Sequence, residues 1–222
     1  CGTGLAVAKH GNRSISSACG SADVLAELGV NIEAAPEKVG ECIDEVGIGF
    51  LFAVALHGAM KHAIGPRKEL ATRTVFNALG PLTNPAGAKR QLIGVYDGNL
   101  TDVVAGVLGE LGSERAFVVH GADGLDEITL TGPTRISELN GGQVSTSEIS
   151  PGDFGLEVVS VEALAGGDAV QNAQILRDIL DGKQGPQRDV VLLNAAAAIA
   201  AGGLADEMAG GRLLNTSPST RD

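Results

Sequence analysis

The sequence predicts an α/β fold, in which helices flank a mostly parallel central sheet with one antiparallel excursion near residues 127–160. Short apolar runs of strand length alternate along the 222-residue chain with segments whose apolar residues recur at the helical spacing. Hydrophobic residues make up 44% of the chain, which is enough to bury a proper core. We therefore expect one α/β domain over residues 1–205, followed by an irregular tail over 206–222.

The first part of the chain predicts two strands and two helices. Leu5–Ala8 and Ile48–Ala53 are apolar runs of strand length, and the second is typical of a strand that is buried on both faces. Between them, two sets of apolar residues lie at helical spacing: Ala22, Val24, Leu25 and Leu28, and then Val39, Cys42, Ile43 and Val46. The order strand, helix, helix, strand begins the α/β pattern.

The middle of the chain continues this alternation. Gln91–Tyr96 and Ala116–Val119 are predicted as buried strands, and a helix that Thr101 caps and Gly112 ends lies between them. The predicted apolar face of this helix consists of Val103, Val104, Val107, Leu108 and Leu111.

The last part of the chain changes its period and then becomes helical again. From Glu127 to Ile149, apolar and polar residues alternate around Asn140-Gly141-Gly142, which predicts a β-hairpin. Two helical stretches follow, around Val161–Leu180 and Gln187–Leu204, and the second is rich in alanine.

Charge and composition exclude several classes of partner. The chain has 16 Lys and Arg against 27 Asp and Glu, a formal net charge of −11, so it gains nothing electrostatically from nucleic acid or an anionic membrane. Aromatic residues are only 3% and Trp is absent, which also argues against stacking on bases. We expect neither nucleic acid nor a membrane as partner.

Cysteine usage indicates a reducing compartment. The three cysteines, Cys1, Cys19 and Cys42, are an odd number without C-x-x-C spacing, and Cys42 is expected in the core. The most apolar segment, Val190–Ala201, is interrupted by Asn194 and is shorter than the ~20 residues that span a bilayer. No secretory signal is recognised, so we expect a cytoplasmic protein.

The first segment that could carry chemistry follows the first strand, and we call Lys9–Ser17 the cationic segment. It offers two permanent cations, a histidine, an amide and three hydroxyls, and Gly20-Ser21 then begins a helix. Hydroxyls, backbone N–H groups and cations together suit a phosphorylated anion. A polar surface loop with Ser21 as an ordinary helix cap explains the same composition equally well.

The second segment, His120–Glu127, follows the strand Ala116–Val119, and we call it the acidic loop. Adjacent carboxylates such as Asp126 and Glu127 can turn to one point in a glycine-rich loop, and oxygen ligands suit Mg²⁺. Considered alone, this loop is more simply interpreted as a solvated acidic turn.

Two further segments have plain structural interpretations. The basic residues of His57–His62 and Pro66–Lys68 are a candidate anion site, but an ordinary solvated helix face explains them better. In Arg73–Pro85, two prolines and Gly80 fix a rigid turn, which is typical of a structural corner.

Taken in order, these four segments resemble the motifs of the anthranilate phosphoribosyltransferase family of tryptophan biosynthesis. The resemblance rests on KHGNRSxSS with GSADVL, on GIGFLFA with HxAMKH and RxEL, on RTxFNxLGPLTNP, and on VxGxDGLDE. It extends from about Val7 to about Ala205, and four ordered motifs are more specific than any one of them. It implies the α/β domain that phosphoribosyltransferases of this kind share with nucleoside phosphorylases.

The resemblance also implies a reaction, substrates and site residues. Such enzymes transfer the 5-phosphoribosyl group of phosphoribosyl diphosphate to anthranilate with Mg²⁺, and they need no side-chain nucleophile because the aromatic amine is one. Asp126 and Glu127 are implied as Mg²⁺ ligands. Asn12 and Arg67 are implied as anthranilate contacts, and His10, His57 and Pro81 as the lining of its path. The residues implied to hold phosphoribosyl diphosphate are Lys9, His10, Gly11, Asn12, Arg13, Ser14, Ile15, Ser16, Ser17 and Ser21.

The sequence departs from the family pattern in three respects. A small N-terminal helical domain, which usually makes the homodimer contact, a GTGGD loop for diphosphate and a following Asn-x-Ser-Thr segment are not found in it. We therefore expect residues 1–222 alone to lack transferase activity. A pyrimidine nucleoside phosphorylase-like enzyme and a non-catalytic remnant are the alternatives.

Overall fold

The computed structural model describes residues 2–13, 19–56, 58, 65, 69, 74–208 and 210. These residues divide into two compact units. The first unit consists of the described residues of Thr3–Gly87 and Gly166–Gly182, and the second consists of Ala88–Ala165 and the described residues from Lys183 onward. In the described part of the chain, no helix is long and apolar enough to cross a membrane.

The first unit is built around two parallel strands, β1 (Val7–Gly11) and β2 (Ile48–Phe52), which pair from Val7↔Ile48 to Gly11↔Phe52. Its core consists of Ala22, Ile32 and Phe52, with Leu25 and Phe50 packed against them. The helices of this unit are α1 (Ser21–Glu27), α2 (Pro36–Val46), α3 (Ala53–Leu56), α4 (Val75–Leu79) and α7 (Ala169–Leu180).

The helix α2 lies close against β2 because Gly49 has no side chain. A Cβ at Gly49 would come within 2.6 Å of Ile43 and within 2.9 Å of Val39. The helix ends at Gly47, whose φ of 85° is a left-handed conformation that glycine adopts without strain. The predicted apolar stripe is only partly buried, because Cys42 is half-buried and Val46 is 67% exposed. The expectation that Cys42 belongs to the core was therefore too strong.

The second unit contains a four-stranded sheet in the order β3 (Arg90–Gly94), β4 (Arg115–Gly121), β5 (Thr134–Asn140) and β6 (Gln143–Ile149). The strands β3 and β4 are parallel, and β5 and β6 continue the sheet in antiparallel pairing. The helices are α5 (Thr101–Glu110), α6 (Val161–Leu164) and α8 (Pro186–Ala201). Parallel pairing followed by an antiparallel hairpin confirms the predicted fold class.

The strand β4 is buried on both faces, as its apolar run predicted. Phe117 and Val119 pack with Leu193 and Ala197 of α8 in the main core cluster. The alternate residues of the strand point to the opposite face, on which α5 packs. The end of β4 is therefore fixed by packing on both sides, which matters for the acidic loop that follows it.

The predicted hairpin is present, and its turn has a clear physical cause. The ladder closes at Asn140↔Gln143, which leaves Gly141 and Gly142 as the two turn residues. Their φ values are 56° and 81°, and a type I′ turn needs positive φ at both positions.

Two details of the predicted helices were wrong. Thr101 is not a cap but the first residue of α5, where it is fully buried and its hydroxyl donates to the Gly98 carbonyl at 3.0 Å. Val103 and Leu111 are exposed, so the buried face is formed by Thr101, Val104, Ala105 and Leu108.

The predicted helix around Val161–Leu180 is interrupted between α6 and α7. The side chain of Asp168 accepts a hydrogen bond from Gln171 N at 2.9 Å and so caps a new helix at that point. The assignment of residues 1–205 to a single phosphoribosyl-transfer domain, and of 206–222 to an irregular tail, stays a prediction.

Candidate functional site

The described part of the cationic segment, Lys9–Arg13, includes the last residues of β1. Because side chains alternate along a strand, Lys9 and Gly11 lie on one face of β1 and His10 lies on the other. A Cβ at Gly11 would come within 2.7 Å of the Ser21 hydroxyl, so only glycine lets Ser21 lie directly against the strand. Four further residues of the segment, Ser14, Ile15, Ser16 and Ser17, lie outside the described residues.

The chain after β1 is held against the start of α1 by its backbone. Ala22 N donates to the Asn12 carbonyl at 3.2 Å, and Arg13 N donates to Asn12 Oδ1 at 2.8 Å. Asn12 thus fixes the segment with both its backbone and its side chain.

Arg13 lies between an acidic and an aromatic side chain. Its NH1 donates to Asp23 Oδ1 at 2.9 Å, and its guanidinium lies 6.0 Å from the centre of the Phe52 ring. The other oxygen of Asp23 accepts from Gly20 N at 2.9 Å, which caps α1. The predicted anion ligand Arg13 is therefore already oriented by a neighbouring carboxylate.

Pro81 lies in a 3₁₀ turn over Gly80–Thr83, where it is half-buried. Directly after this turn, Asn84 Nδ2 donates to the Ala8 carbonyl of β1 at 3.1 Å. The segment that was interpreted as a structural corner thus attaches directly to the strand that carries Lys9. Sequence reasoning did not single out Asn84. His57 and Arg67, predicted to lie near Pro81, are outside the described residues.

The acidic loop begins at the end of β4 and is folded around Asp123. Asp123 Oδ2 accepts from the hydroxyls of Thr129 and Thr131, each at 2.6 Å, and Oδ1 accepts from Leu125 N at 3.1 Å. Gly121 is required here, because a Cβ would come within 2.6 Å of Asp123 Oδ1. Asp123 therefore organises the loop through three hydrogen bonds.

The pKa of Asp123 reflects the balance of these effects. Partial burial, the largest single influence, acts to raise the pKa of this carboxyl. The hydrogen bonds from Thr129, Thr131 and Leu125 together outweigh burial and hold the pKa below its ordinary value. The ionised form is thus the one that the loop is built around.

Asp126 and Glu127, the predicted metal ligands, are both exposed, and the backbone beside them is held by residues distant in sequence. A Cβ at Gly94, the last residue of β3, would overlap the Asp126 carbonyl, so the loop lies directly on this glycine. On the other side, Ile128 N donates to Asn194 Oδ1 at 3.0 Å, and Asn194 Nδ2 donates to the Ile128 carbonyl at 2.8 Å.

The donor set of the acidic loop fits a hard divalent cation. Among the described residues, no three His, Cys, Asp or Glu side chains lie together in a group that could hold a metal by themselves. Two adjacent, exposed carboxylates instead match Mg²⁺, which keeps several waters and is completed by substrate phosphates. The cationic segment belongs to the first unit and the acidic loop to the second.

Sequence reasoning missed Gly94 and Asn194, and only the second left a signal. Asn194 is the one polar residue in the run Val190–Ala201, where an amide needs a buried partner. The nature of that partner could not be derived, because Ile128 is 66 residues away along the chain.

Comparison with known proteins gives consistent results. A model of the family described as "Glycosyl transferase family, a/b domain" matches residues 1–216. The anthranilate phosphoribosyltransferase of Moorella thermoacetica is 58% identical over 207 residues, which cover 93% of this chain and 61% of that protein. That of Geobacter sulfurreducens is 60% identical over 208 residues, covering 94% and 59%. The chain thus spans about 60% of the length of these relatives.

Solved structures agree with the sequence relatives. The anthranilate phosphoribosyltransferase of Thermus thermophilus superimposes with a TM-score of 0.91 at 46% identity, covering 96% of this chain and 64% of that one. The Saccharomyces cerevisiae enzyme in complex with PRPP and Mg gives a TM-score of 0.84 at 28% identity, covering 96% and 61%. The resemblance that the four motifs predicted is confirmed.

Proposed function

The chain belongs to the glycosyl transferase family defined by this a/b domain, and we propose that its function is in phosphoribosyl transfer, for which residues 1–222 bind the substrates and Mg²⁺ while turnover by these residues alone is not expected. The 5-phosphoribosyl group of phosphoribosyl diphosphate is transferred to the amino group of anthranilate, and diphosphate is released. The names of the most similar relatives support this proposal, as does the complex of the yeast enzyme with PRPP and Mg. The proposed setting is the cytoplasm, with neither nucleic acid nor a membrane as partner.

The observation that carries the proposal is the acidic loop. Asp126 and Glu127 are adjacent and exposed, and Asp123 of the same loop accepts hydrogen bonds from Thr129 and Thr131. Adjacent exposed carboxylates suit a hydrated divalent cation whose coordination is completed by substrate phosphates. We therefore assign Asp126 and Glu127 to Mg²⁺, which when bound neutralises charge on the leaving diphosphate.

The cationic segment and Ser21 hold phosphoribosyl diphosphate in this proposal. Lys9 and the backbone of Gly11 share one face of β1, and the Ser21 hydroxyl lies against Gly11. A cation, a hydroxyl and backbone N–H groups are the donors that phosphate oxygens prefer. Arg13, oriented by Asp23, supplies a second cation.

Anthranilate is assigned to the residues that the family resemblance implies. We place His10, His57 and Pro81 along the path of this substrate, with Asn12 and Arg67 contacting it. An arginine suits the carboxylate of anthranilate because its planar donors match two carboxylate oxygens.

The reaction then depends mainly on positioning. The anthranilate nitrogen forms a bond to the anomeric carbon, the bond from that carbon to the diphosphate oxygen breaks with its electron pair, and the amine loses one proton. Positive charge builds on the sugar and negative charge on the leaving group, so fixed cations and oriented reactants account for most of the acceleration.

Calorimetric titration of the chain with phosphoribosyl diphosphate in the presence of Mg²⁺ tests the proposal. We expect weak, saturable binding that is lost in the double variant Asp126→Ala/Glu127→Ala, whose thermal unfolding matches that of wild type because both side chains are exposed. No heat up to millimolar ligand overturns the proposal. Unfolding of the double variant makes the acidic pair structural and overturns its assignment to Mg²⁺.

A phosphorylase control separates the alternative activity. The chain is incubated with a pyrimidine nucleoside and inorganic phosphate, and release of the free base is followed. We expect no release. Phosphate-dependent cleavage identifies a nucleoside phosphorylase-like enzyme and contradicts the transferase proposal.

A further inference from the structure

We propose that Asn194, on helix α8, is a positioning residue that fixes the geometry of the Asp126 and Glu127 carboxylates. The inference rests on the proposed function in one respect, namely that these two carboxylates hold Mg²⁺. It adds that the metal site depends on an uncharged side chain that is not itself a metal ligand. Asn194 lies 66 residues along the chain from Ile128, the residue whose backbone it contacts.

The hydrogen bonds of Asn194 join the helix to the loop backbone in both directions. Its Oδ1 accepts from Ile128 N at 3.0 Å, and its Nδ2 donates to the Ile128 carbonyl at 2.8 Å. Nδ2 also donates to the Val190 carbonyl of its own helix at 3.0 Å. Because the amide is held on both sides, it fixes the orientation of the Ile128 peptide groups as well as their position.

Burial makes this attachment rigid. Ile128 is only 1% exposed and belongs to the core cluster that includes Leu193 and Ala197 of the same helix. The chain therefore leaves the exposed residue Glu127 and enters the core at the next residue. Without Asn194, the N–H and carbonyl of Ile128 lose the partners that offset their burial.

The hydrogen bonds of Asn194 affect Asp126 and Glu127 because other contacts hold the loop at the residues before Ile128. The Asp126 carbonyl lies on Gly94, and Asp123 ties the earlier part of the loop to Thr129 and Thr131. The peptide groups from Asp126 to Ile128 are thus fixed at both ends, which sets the direction in which the two carboxylates leave the backbone. Metal ligands need such support, since small errors in ligand position weaken coordination.

The chemistry of the amide matters as well. The amide of Asn194 supplies both a donor and an acceptor to the Ile128 backbone, and it carries no charge that would oppose a metal ion.

The chain contains a matched control for this arrangement. On α7, Asn172 holds Gly167 with the same two hydrogen bonds: Gly167 N donates to Asn172 Oδ1 at 2.8 Å, and Asn172 Nδ2 donates to the Gly167 carbonyl at 3.0 Å. Gly167 is not next to an acidic pair. Asn194→Ala and Asn172→Ala therefore remove the same type of contact, and only the first removes it beside the proposed ligands.

The experiment measures Mn²⁺ affinity from the relaxation rate of water protons, with circular dichroism and thermal unfolding of each variant. Mn²⁺ is used because it prefers the same oxygen ligands as Mg²⁺ and is paramagnetic. We expect Asn194→Ala to remain folded and to lose about 10- to 100-fold in Mn²⁺ affinity, as for other residues that orient metal ligands. Asn172→Ala should keep the wild-type affinity.

The outcomes distinguish this inference from the proposed function. If the wild-type chain shows no saturable Mn²⁺ binding that depends on Asp126 and Glu127, the assignment of these residues to Mg²⁺ and the inference are both overturned. Wild-type binding that Asn194→Ala leaves unchanged, or that Asn172→Ala reduces as strongly, overturns the inference alone. If circular dichroism shows Asn194→Ala to be unfolded, Asn194→Ser, whose hydroxyl can make one of the two bonds, is measured instead and judged by the same criteria.

Discussion

The cationic segment and the acidic loop both follow parallel strands, but the two are held in different ways. After β1, the charges hold one another, since Arg13 pairs with Asp23 and their side chains are 50% and 23% exposed. After β4, uncharged groups do the holding: hydroxyls of two threonines satisfy Asp123, and the amide of Asn194 fixes Ile128.

The difference bears on how substitutions act in the two regions. In the acidic loop, the backbone beside Asp126 and Glu127 is held by the contact with Gly94 and by the hydrogen bonds of Asn194. In the cationic segment, one of the two cations already has an anionic neighbour, so an incoming anion competes with Asp23 for Arg13. We therefore expect structural substitutions to have large effects around the acidic loop and small ones around Arg13.

The largest effect is expected for Gly94→Ala. The new methyl group would overlap the Asp126 carbonyl, so the loop backbone has to move, at a cost of about 3 kcal/mol in the free energy of unfolding. Mn²⁺ binding should be lost with it, because both proposed ligands lie beside the displaced carbonyl. Urea unfolding and proton relaxation measure the two effects.

Gly106→Ala on α5 is the control for this substitution. Nothing lies within 4 Å of the added Cβ, so the change should stabilise the helix by up to about 1 kcal/mol and leave Mn²⁺ binding intact. A Gly94→Ala variant as stable as wild type would show that the loop does not lie against this glycine. The acidic loop would then not be held more rigidly than the cationic segment.

A smaller effect is expected for Asp123→Asn, and it should depend on pH. The variant keeps the size of the side chain but loses the ionised acceptor of three hydrogen bonds, which should cost about 1–2 kcal/mol near neutral pH. Because the pKa of Asp123 in the fold lies below its ordinary value of 3.8, the ionised carboxylate stabilises the native state above that pH. The contribution disappears as pH falls through the lowered pKa.

Thermal unfolding of wild type and Asp123→Asn from neutral pH to pH 2 checks this sign. The two melting temperatures should differ by a constant amount above about pH 5 and converge as the pH falls through the lowered pKa. A difference that grows on acidification would mean that the protonated form is the one the loop stabilises. Equal stability at every pH would mean that the three hydrogen bonds of Asp123 do not stabilise the fold.

The sequence predicted local features of these regions well and long-range ones poorly. The hairpin at Gly141-Gly142 and the buried strand β4 follow from local rules on positive φ and apolar runs, and both were correct. The acidic loop and the cationic segment could be located because their residue types are unusual in composition. Asn194 and Gly94 could not be assigned, because their partners are set by how the chain folds back on itself.

The face of α5 shows a second kind of limit. Five apolar residues at helical spacing predicted one face, but Val103 and Leu111 are exposed and the small residues Thr101 and Ala105 are buried instead. Thr101 can be buried because its hydroxyl donates to Gly98 and accepts from Arg135 Nε at 3.1 Å. That second partner comes from β5, so no local pattern could indicate it.

The smallest effect on stability is expected for Asp23→Asn in the cationic segment. Asparagine keeps an oxygen that can accept from Gly20 N, so the cap of α1 survives while the ion pair with Arg13 is lost. Partly exposed ion pairs contribute at most about 1 kcal/mol, and that contribution shrinks as salt is added. Removal of the carboxylate also removes an anionic competitor for Arg13. We therefore expect tighter binding of phosphoribosyl diphosphate in Mg²⁺, most clearly at low salt, when the titration is followed by calorimetry.

The matched control is Glu41→Gln on α2, which breaks the exposed pair between Lys38 Nζ and Glu41 Oε2 at 2.6 Å. Both substitutions remove one negative charge and one exposed ion pair, so their effects on stability should be similar. Only Asp23→Asn changes the surroundings of a predicted anion ligand, and only it should raise the affinity. An equal gain in affinity in Glu41→Gln would show that the change in net charge alone explains the effect. A loss of affinity in Asp23→Asn would show that Asp23 holds Arg13 in the orientation that binds the ligand. The ion pair of this segment would then position a ligand-binding residue, as the uncharged contacts of Asn194 are proposed to do in the acidic loop.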